Sequence, residues 1–241
     1  MPTTTQAQIF LAAQRGSSRT DVSQSYHSFN HGTYVAEGRE PFGPLRLLND
    51  DTLRAEASLT YQVNQPTDVL LLPVHGAIDL TNPPGDGIWP GQLVTLSLPT
   101  GGSYTVHNPY ETETVNFLQF WLTNPAAQQA PAIKEITFDL ATRNTLLPLF
   151  DQTHPPANGR LFLGRYEGRA EGLYSVDEPD RGVFVFILQG AFEVANRLMH
   201  AKDGLALWCD PGTAIDFEAL SNDALLCLLD VPLNHQGSLR Q

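Results

Sequence analysis

Short apolar runs separated by turn formers recur along almost the whole chain. In the first half, runs of strand composition fall at 45–48, 57–63, 69–74, 93–98 and 115–122; in the second they fall at 133–140, 160–166, 182–188, 191–195, 205–209 and 224–231. Segments such as Asn82-Pro83-Pro84-Gly85-Asp86-Gly87 and Pro99-Thr100-Gly101-Gly102 punctuate them, which predicts strands joined by tight turns. Strands this closely spaced belong to a sandwich or barrel rather than to βαβ units. The best helical candidate spans 141–150, and Pro148 truncates even that.

The pattern repeats. DVLLLPVHGAIDL followed by PGQLVTLSLP in the first half parallels GVFVFILQGAFEV followed by KDGLALWCDP in the second, aligning Gly76 with Gly190 and Gly91 with Gly204. An apolar strand, a Gly turn, a strand and a second Gly turn therefore recur, as a duplicated barrel would require. Between the halves lies NPAAQQAPA, which is small, polar and proline-containing. The reading is an arm over residues 1–25, in which Ile9, Phe10 and Leu11 could form an edge strand, then a first barrel at 26–124, a linker at 125–132 and a second barrel at 133–241.

Composition narrows the function. The 241 residues are long enough to bury a core without metals or disulfides, and 19 Gly with 18 Pro suit many short strands. A formal charge of -12 with no Lys/Arg cluster would repel phosphate backbones, so direct nucleic-acid binding is not expected. No stretch has the length of a membrane span or the apolar core of a secretory signal, and the expectation is a soluble, cytoplasmic protein without membrane contact. Cys209 and Cys227 are too few for a disulfide framework and read as buried thiols in a reducing compartment.

The segment GPLRLLNDD, Tyr26-His27-Ser28-Phe29 with Gly32 and Tyr34, the Pro90-Gly91 turn and the strand Asn116-Phe117-Leu118-Gln119-Phe120-Trp121-Leu122 together resemble the pirin family. The second half resembles it more loosely, in the manner of YhaK-like pirin relatives. The resemblance implies an all-β bicupin, two Greek-key barrels packed together. It also implies one metal in the N-terminal barrel, held by a His-x-His pair on one strand and a His-x-Glu pair on another, with quercetinase-type dioxygenase activity. Residues i and i+2 of a strand share a face, so two such pairs on neighbouring strands can converge on one ion.

Counting from Gly76 places the first pair at Gln62 and Asn64, with Asp68 as the acid that follows it. Counting from Pro90-Gly91 and Asn108 places the second at Tyr104 and Val106. A register one residue earlier would put Tyr61 and Val63 in the first pair. No histidine stands at any of these positions. Carboxamide oxygens bind transition ions weakly and Val cannot bind them. The expectation is therefore no cofactor, no metal and no metal-dependent quercetinase activity.

In place of the metal, Gln62, Asn64 and Tyr104 should converge inside the barrel as a polar, uncharged pocket walled by Val106, with His75 and His107 nearby, and take a small neutral or polar ligand. The first reading of function is a binding or regulatory module. The alternatives are a metal-independent enzyme of the cupin epimerase or isomerase kind, with Tyr104 as acid, or a quercetin 2,3-dioxygenase-type oxidoreductase with non-standard ligands. His27, His31, His75 and His107 have no His-x-His spacing, and His154, His200 and His235 sit in turn-like or tail contexts without an assigned role. The sequence names no protein partner.

Overall fold

The computed structural model of the chain describes residues 6–125, 132–150 and 159–233. Their regular structure is β throughout, apart from one 3-10 turn at Ala12–Gln14. Among them no helix is long and apolar enough to cross a membrane.

Two units carry the same eight strands in the same order. The first contains β4 (Leu45–Leu53), β5 (Ser58–Gln62), β6 (Thr67–His75), β7 (Ile78–Asn82), β8 (Pro84–Ile88), β9 (Gln92–Leu98), β10 (Ser103–His107) and β11 (Val115–Thr123). They form one sheet in the order β9-β6-β11-β4 and a facing sheet in the order β5-β10-β7-β8. The second contains β14 (Arg160–Tyr166), β15 (Glu171–Val176), β16 (Arg181–Gln189), β17 (Ala191–Val194), β18 (Arg197–His200), β19 (Gly204–Cys209), β20 (Thr213–Ala219) and β21 (Ala224–Pro232). Their orders, β19-β16-β21-β14 and β15-β20-β17-β18, repeat those of the first unit strand for strand. The fold is a bicupin.

The remaining strands extend the larger sheets. Beyond β4 lie β3 (Ser23–His27) and β2 (Gly16–Arg19), and beyond β14 lies β13 (Thr145–Phe150). β1 (Gln6–Phe10) pairs with β19 of the second unit, while β12 (Ala132–Thr137) pairs with β9 of the first. The N-terminal arm thus does contain an edge strand at Ile9 and Phe10, but it completes the distant unit. The expected boundary at residue 133 is correspondingly wrong for residues up to 137, which belong to the first sheet. Positions 126–131 of the expected linker lie outside the described residues.

Two further expectations are corrected. Residues 145–150 form a strand rather than the end of a helix, with Pro148 opposite Phe162 in a ladder whose register shifts just after it. Gly76 and Gly190 do occupy matching turns, at φ of 71° and 77°, a region open to glycine at no steric cost. Gly91 also has positive φ, but Gly204 opens β19, and the turn before it is made by Lys202 at φ 72°.

Alternation along each strand sorts side chains between three cores. On β11, Phe117 faces the interior of the first unit with Val69, Leu71 and Val94. Its neighbours Leu118, Phe120 and Leu122 face a core shared with Phe184, Phe186, Leu161 and Leu229 of the second unit. The second unit has its own interior around Val185, Phe192 and Phe217. Each fully buried Leu or Phe in these cores contributes about 1.5–3 kcal/mol, and the shared core holds the two units together.

Candidate functional site

Antiparallel register sets what faces the first interior from its smaller sheet. Tyr104 of β10 lies opposite Tyr61 of β5, and Val106 lies opposite Leu59. Tyr104 and Val106 are fully buried and point inward. Gln62 and Asn64 do not join them. Both are exposed on the outer side, and the Gln62 amide donates to the Gly101 carbonyl. The expected convergence of Gln62, Asn64 and Tyr104 is therefore corrected to Tyr61, Val63 and Tyr104. β5 ends at Gln62, and the irregular backbone between it and β6 breaks the alternation through which the count from Gly76 was carried.

The two phenols stack, with ring centroids 5.0 Å apart and 17° between planes. Their hydroxyls reach the opposite sheet. Tyr104 OH donates to Gln119 Oε1 at 2.5 Å and accepts from Trp121 Nε1 at 2.8 Å. Tyr61 OH donates to Asp51 Oδ2 at 3.2 Å, and Gln119 Nε2 donates to the same oxygen. Asp51, Gln119 and Tyr104 have no solvent exposure. Of the buried side-chain polar atoms, Asp51 Oδ1 is the one with no hydrogen-bond partner among the described residues. Such a group costs about 1–3 kcal/mol when left unpaired.

Burial pushes the Asp51 carboxyl up to about 6, against the opposing pull of Ser25, Gln119 and Tyr61; the Ser25 hydroxyl exerts that pull without forming a bond of ordinary geometry. Burial also raises both phenols well above their usual range, so they remain protonated at neutral pH. The interior is polar, as expected, but it is not uncharged: Asp51 titrates inside it. Sequence reasoning missed Asp51 and Gln119. The available signal was an amide at inward parity in an otherwise largely apolar strand, Gln119 between Phe117 and Trp121, and a carboxylate sharing a strand face with an apolar core residue, Asp51 two residues before Leu53.

The remaining expected neighbours have other tasks. Asp68 is buried and accepts from Ser97 Oγ at 2.6 Å and from Asn124 Nδ2 at 2.8 Å, which ties strand ends together. His107 points outward and meets Ser58 Oγ at 3.0 Å, and His75 is exposed at the end of β6. His27 is buried, with Nδ1 2.9 Å from Asn49 Oδ1 and Nε2 2.7 Å from Ser18 Oγ. His200 is exposed beside Asp203, and His154 and His235 lie outside the described residues. Cys209 and Cys227 are free and buried, and burial raises both thiols, Cys209 to about 11.

Outside the sealed interior, a cleft of about 280 Å³ opens at its rim. His31, Arg46, Gln62, Asn64, Gln65 and Trp121 line it. The His31 and Trp121 rings meet edge to face with centroids 6.0 Å apart. Burial, then the neighbouring His27, lower the His31 pKa, which leaves the imidazole neutral at pH 7.

Residues 157–231 match the family model of the quercetinase C-terminal cupin domain. Over 226 residues the chain is 21% identical to a quercetin 2,3-dioxygenase of Escherichia coli K12, covering 92% of this chain and 96% of that one. The crystal structure of YhhW from Escherichia coli superposes with a TM-score of 0.83 at 19% identity, over 96% of this chain and all of that one. The fold is that of the pirin-like bicupins, and residues 157–231 carry a cupin domain of the quercetinase C-terminal type. Another pirin-like protein, YhaK of Escherichia coli K12, is 22% identical over 137 residues, or 56% of this chain and 59% of that one.

YhhW has also been solved in complex with nickel(II). Tyr61 of β5, Val63 just past it, and Tyr104 and Val106 of β10 supply two phenols and two isopropyl groups, and both phenol hydroxyls are spent on Asp51 and Gln119. No group of three or more His, Cys, Asp or Glu side chains able to hold a metal ion occurs among the described residues. A protonated phenol is a weak ligand and Val is none, so these residues do not fit a divalent transition ion.

Proposed function

We propose that this bicupin works without a metal, as a binding or regulatory module that takes a small polar ligand at the rim of its N-terminal unit. The observation that carries the reading is the Tyr61–Tyr104 stack, which fills the space where ligand pairs on β5 and β10 would converge. A cytoplasmic setting belongs to the same reading and agrees with two free, buried thiols. Quercetinase activity, the activity named for several relatives, is not expected here. The test is elemental analysis of protein expressed with added nickel, iron and manganese, together with oxygen uptake in the presence of quercetin. Metal far below one equivalent and no uptake above the metal-free blank are expected. Near-stoichiometric metal that survives dialysis, or metal-dependent quercetin turnover, would overturn the proposal.

One observation favours a second reading, acid–base catalysis without metal: a carboxyl that titrates near neutrality is hydrogen-bonded to Tyr61 and, through Gln119, to Tyr104. A general acid or base must reach the proton it transfers. Asp51 and Tyr104 are sealed from solvent, so we rank this reading second.

A further inference from the structure

We infer that the rim cleft of the N-terminal unit selects a small planar carboxylate, with Arg46 as its charge partner and the His31–Trp121 pair as its aromatic wall. This rests on the binding-module reading and specifies its ligand.

Most polar side chains in the cleft are already engaged. The Asn30 side chain is held on Ala36, donating to its carbonyl and accepting from its amide. Gln62 donates to the Gly101 carbonyl and Gln65 to the Thr123 hydroxyl. Trp121 directs its only N–H inward, to Tyr104 and Gln119, so it presents carbon surface to the cleft. The side chains of Arg46, Asn64 and His31 make no hydrogen bond or ion pair with any other described residue. The cleft side chains with no hydrogen-bond partner among the described residues are therefore the Arg46 guanidinium, the Asn64 amide and the His31 imidazole, and of these only the guanidinium is charged.

Charge decides between ligand classes. No carboxylate lines the cleft, and neutral His31 leaves Arg46 as its one full charge. In a chain of net charge -12, an unpaired guanidinium in a concave, carboxylate-free site is the local exception. Guanidinium forks match carboxylates in a bidentate way, which a neutral carbonyl cannot reproduce. The two rings, set edge to face, offer aromatic carbon surface to a planar body, and the volume, just below the usual range for ligand sites, limits that body to about one ring. The interior beyond Trp121 is closed by the phenol stack, so a ligand stops at the rim.

Benzoate, with benzamide as its neutral isostere, tests the proposal by isothermal titration calorimetry on the full chain. Saturable binding of benzoate is expected, weakened by added salt and by about tenfold or more in Arg46→Gln, with benzamide binding far less tightly. Arg46 is exposed, and a thermal melt will confirm that the variant folds. Equal binding of benzamide, or an unchanged benzoate affinity in Arg46→Gln, overturns the carboxylate assignment and leaves the binding-module reading in place. Absence of saturable benzoate binding at millimolar concentration also overturns the assignment. The module reading itself fails separately, on the metal analysis described above.

Discussion

The two units share a strand order but differ in what they enclose. The second interior is lined by Val185, Ile187, Phe192, Leu205, Leu228 and their neighbours, with Tyr166 as its largest side chain. Its buried charge is held at the margin, where Asp230 accepts from Arg181 Nε at 2.7 Å and from Tyr174 OH at 2.5 Å. The first interior instead places Asp51, Gln119, Tyr61 and Tyr104 at its centre and leaves one carboxylate oxygen unpaired. An apolar filling contributes stability outright, whereas a partly satisfied polar cluster lowers it. The repeated strand order thus encloses an apolar filling in one unit and a polar cluster in the other. The surfaces differ too: the rim cleft of the first unit carries Arg46, while the broad groove on the second is lined by Glu171, Glu193, Asp216 and Glu218.

If the second unit is scaffold, the largest effect should come from its interior. Phe192 is fully buried and meets Tyr166 and Phe217 edge to face, with centroids 6.0 and 6.3 Å away. Phe192→Ala should cost about 3–5 kcal/mol in urea unfolding. It should leave ligand binding at the first unit unchanged in protein that remains folded. A cost below about 1 kcal/mol would break the contrast between the units.

The next effect belongs to Asp51. Its folded pKa of about 6 lies above the ordinary carboxylate value of 3.8, so folding takes up a proton between those limits. Stability linked to this group is greatest below about pH 4, falls as pH rises through 6, and is then lower by about 3 kcal/mol, an upper figure for one buried group. Asp51→Asn cannot ionise. Its stability relative to the native chain should rise between pH 4.5 and pH 8, read from urea midpoints at several pH values. A native-minus-variant difference that stays flat with pH would remove Asp51 as the titrating centre of the first interior.

Much of this was legible in the sequence, and the failures have physical causes. Turn formers and apolar runs identified most strands, and the shared Gly76 and Gly190 turns exposed the repeat, because those features are local. The exchange of β1 and β12 between units was not legible, since an edge strand such as AIKEIT carries no mark of its distant partner. The inward pair on β5 was misread because two-residue alternation cannot be counted across the break after Gln62. Tyr104 and Val106 lay on a regular strand, and the structure turns both inward. Asp51 and Gln119 were hidden by the search for histidine and glutamate at fixed spacings, although polar residues at core parity were there to be read.

The smallest effect is the most specific. Tyr61 OH donates to Asp51 Oδ2 at 3.2 Å and so favours the ionised carboxylate. Tyr61→Phe keeps the ring, the stack on Tyr104 and nearly all the apolar contact, and deletes that one donor. Above pH 7, where Asp51 is charged, the loss should be about 1 kcal/mol or somewhat more; below pH 5, where it is neutral, the loss should be smaller. The Asp51 titration should move further up, as followed by the carboxyl carbon shift in ¹³C-labelled protein. Gln119 still bonds to Oδ2 in the variant, which is why the shift should be modest rather than complete. A titration that moves down, or an equal loss at pH 5 and pH 8, would mean that Tyr61 acts through packing alone, and the first interior would then differ from the second only in composition.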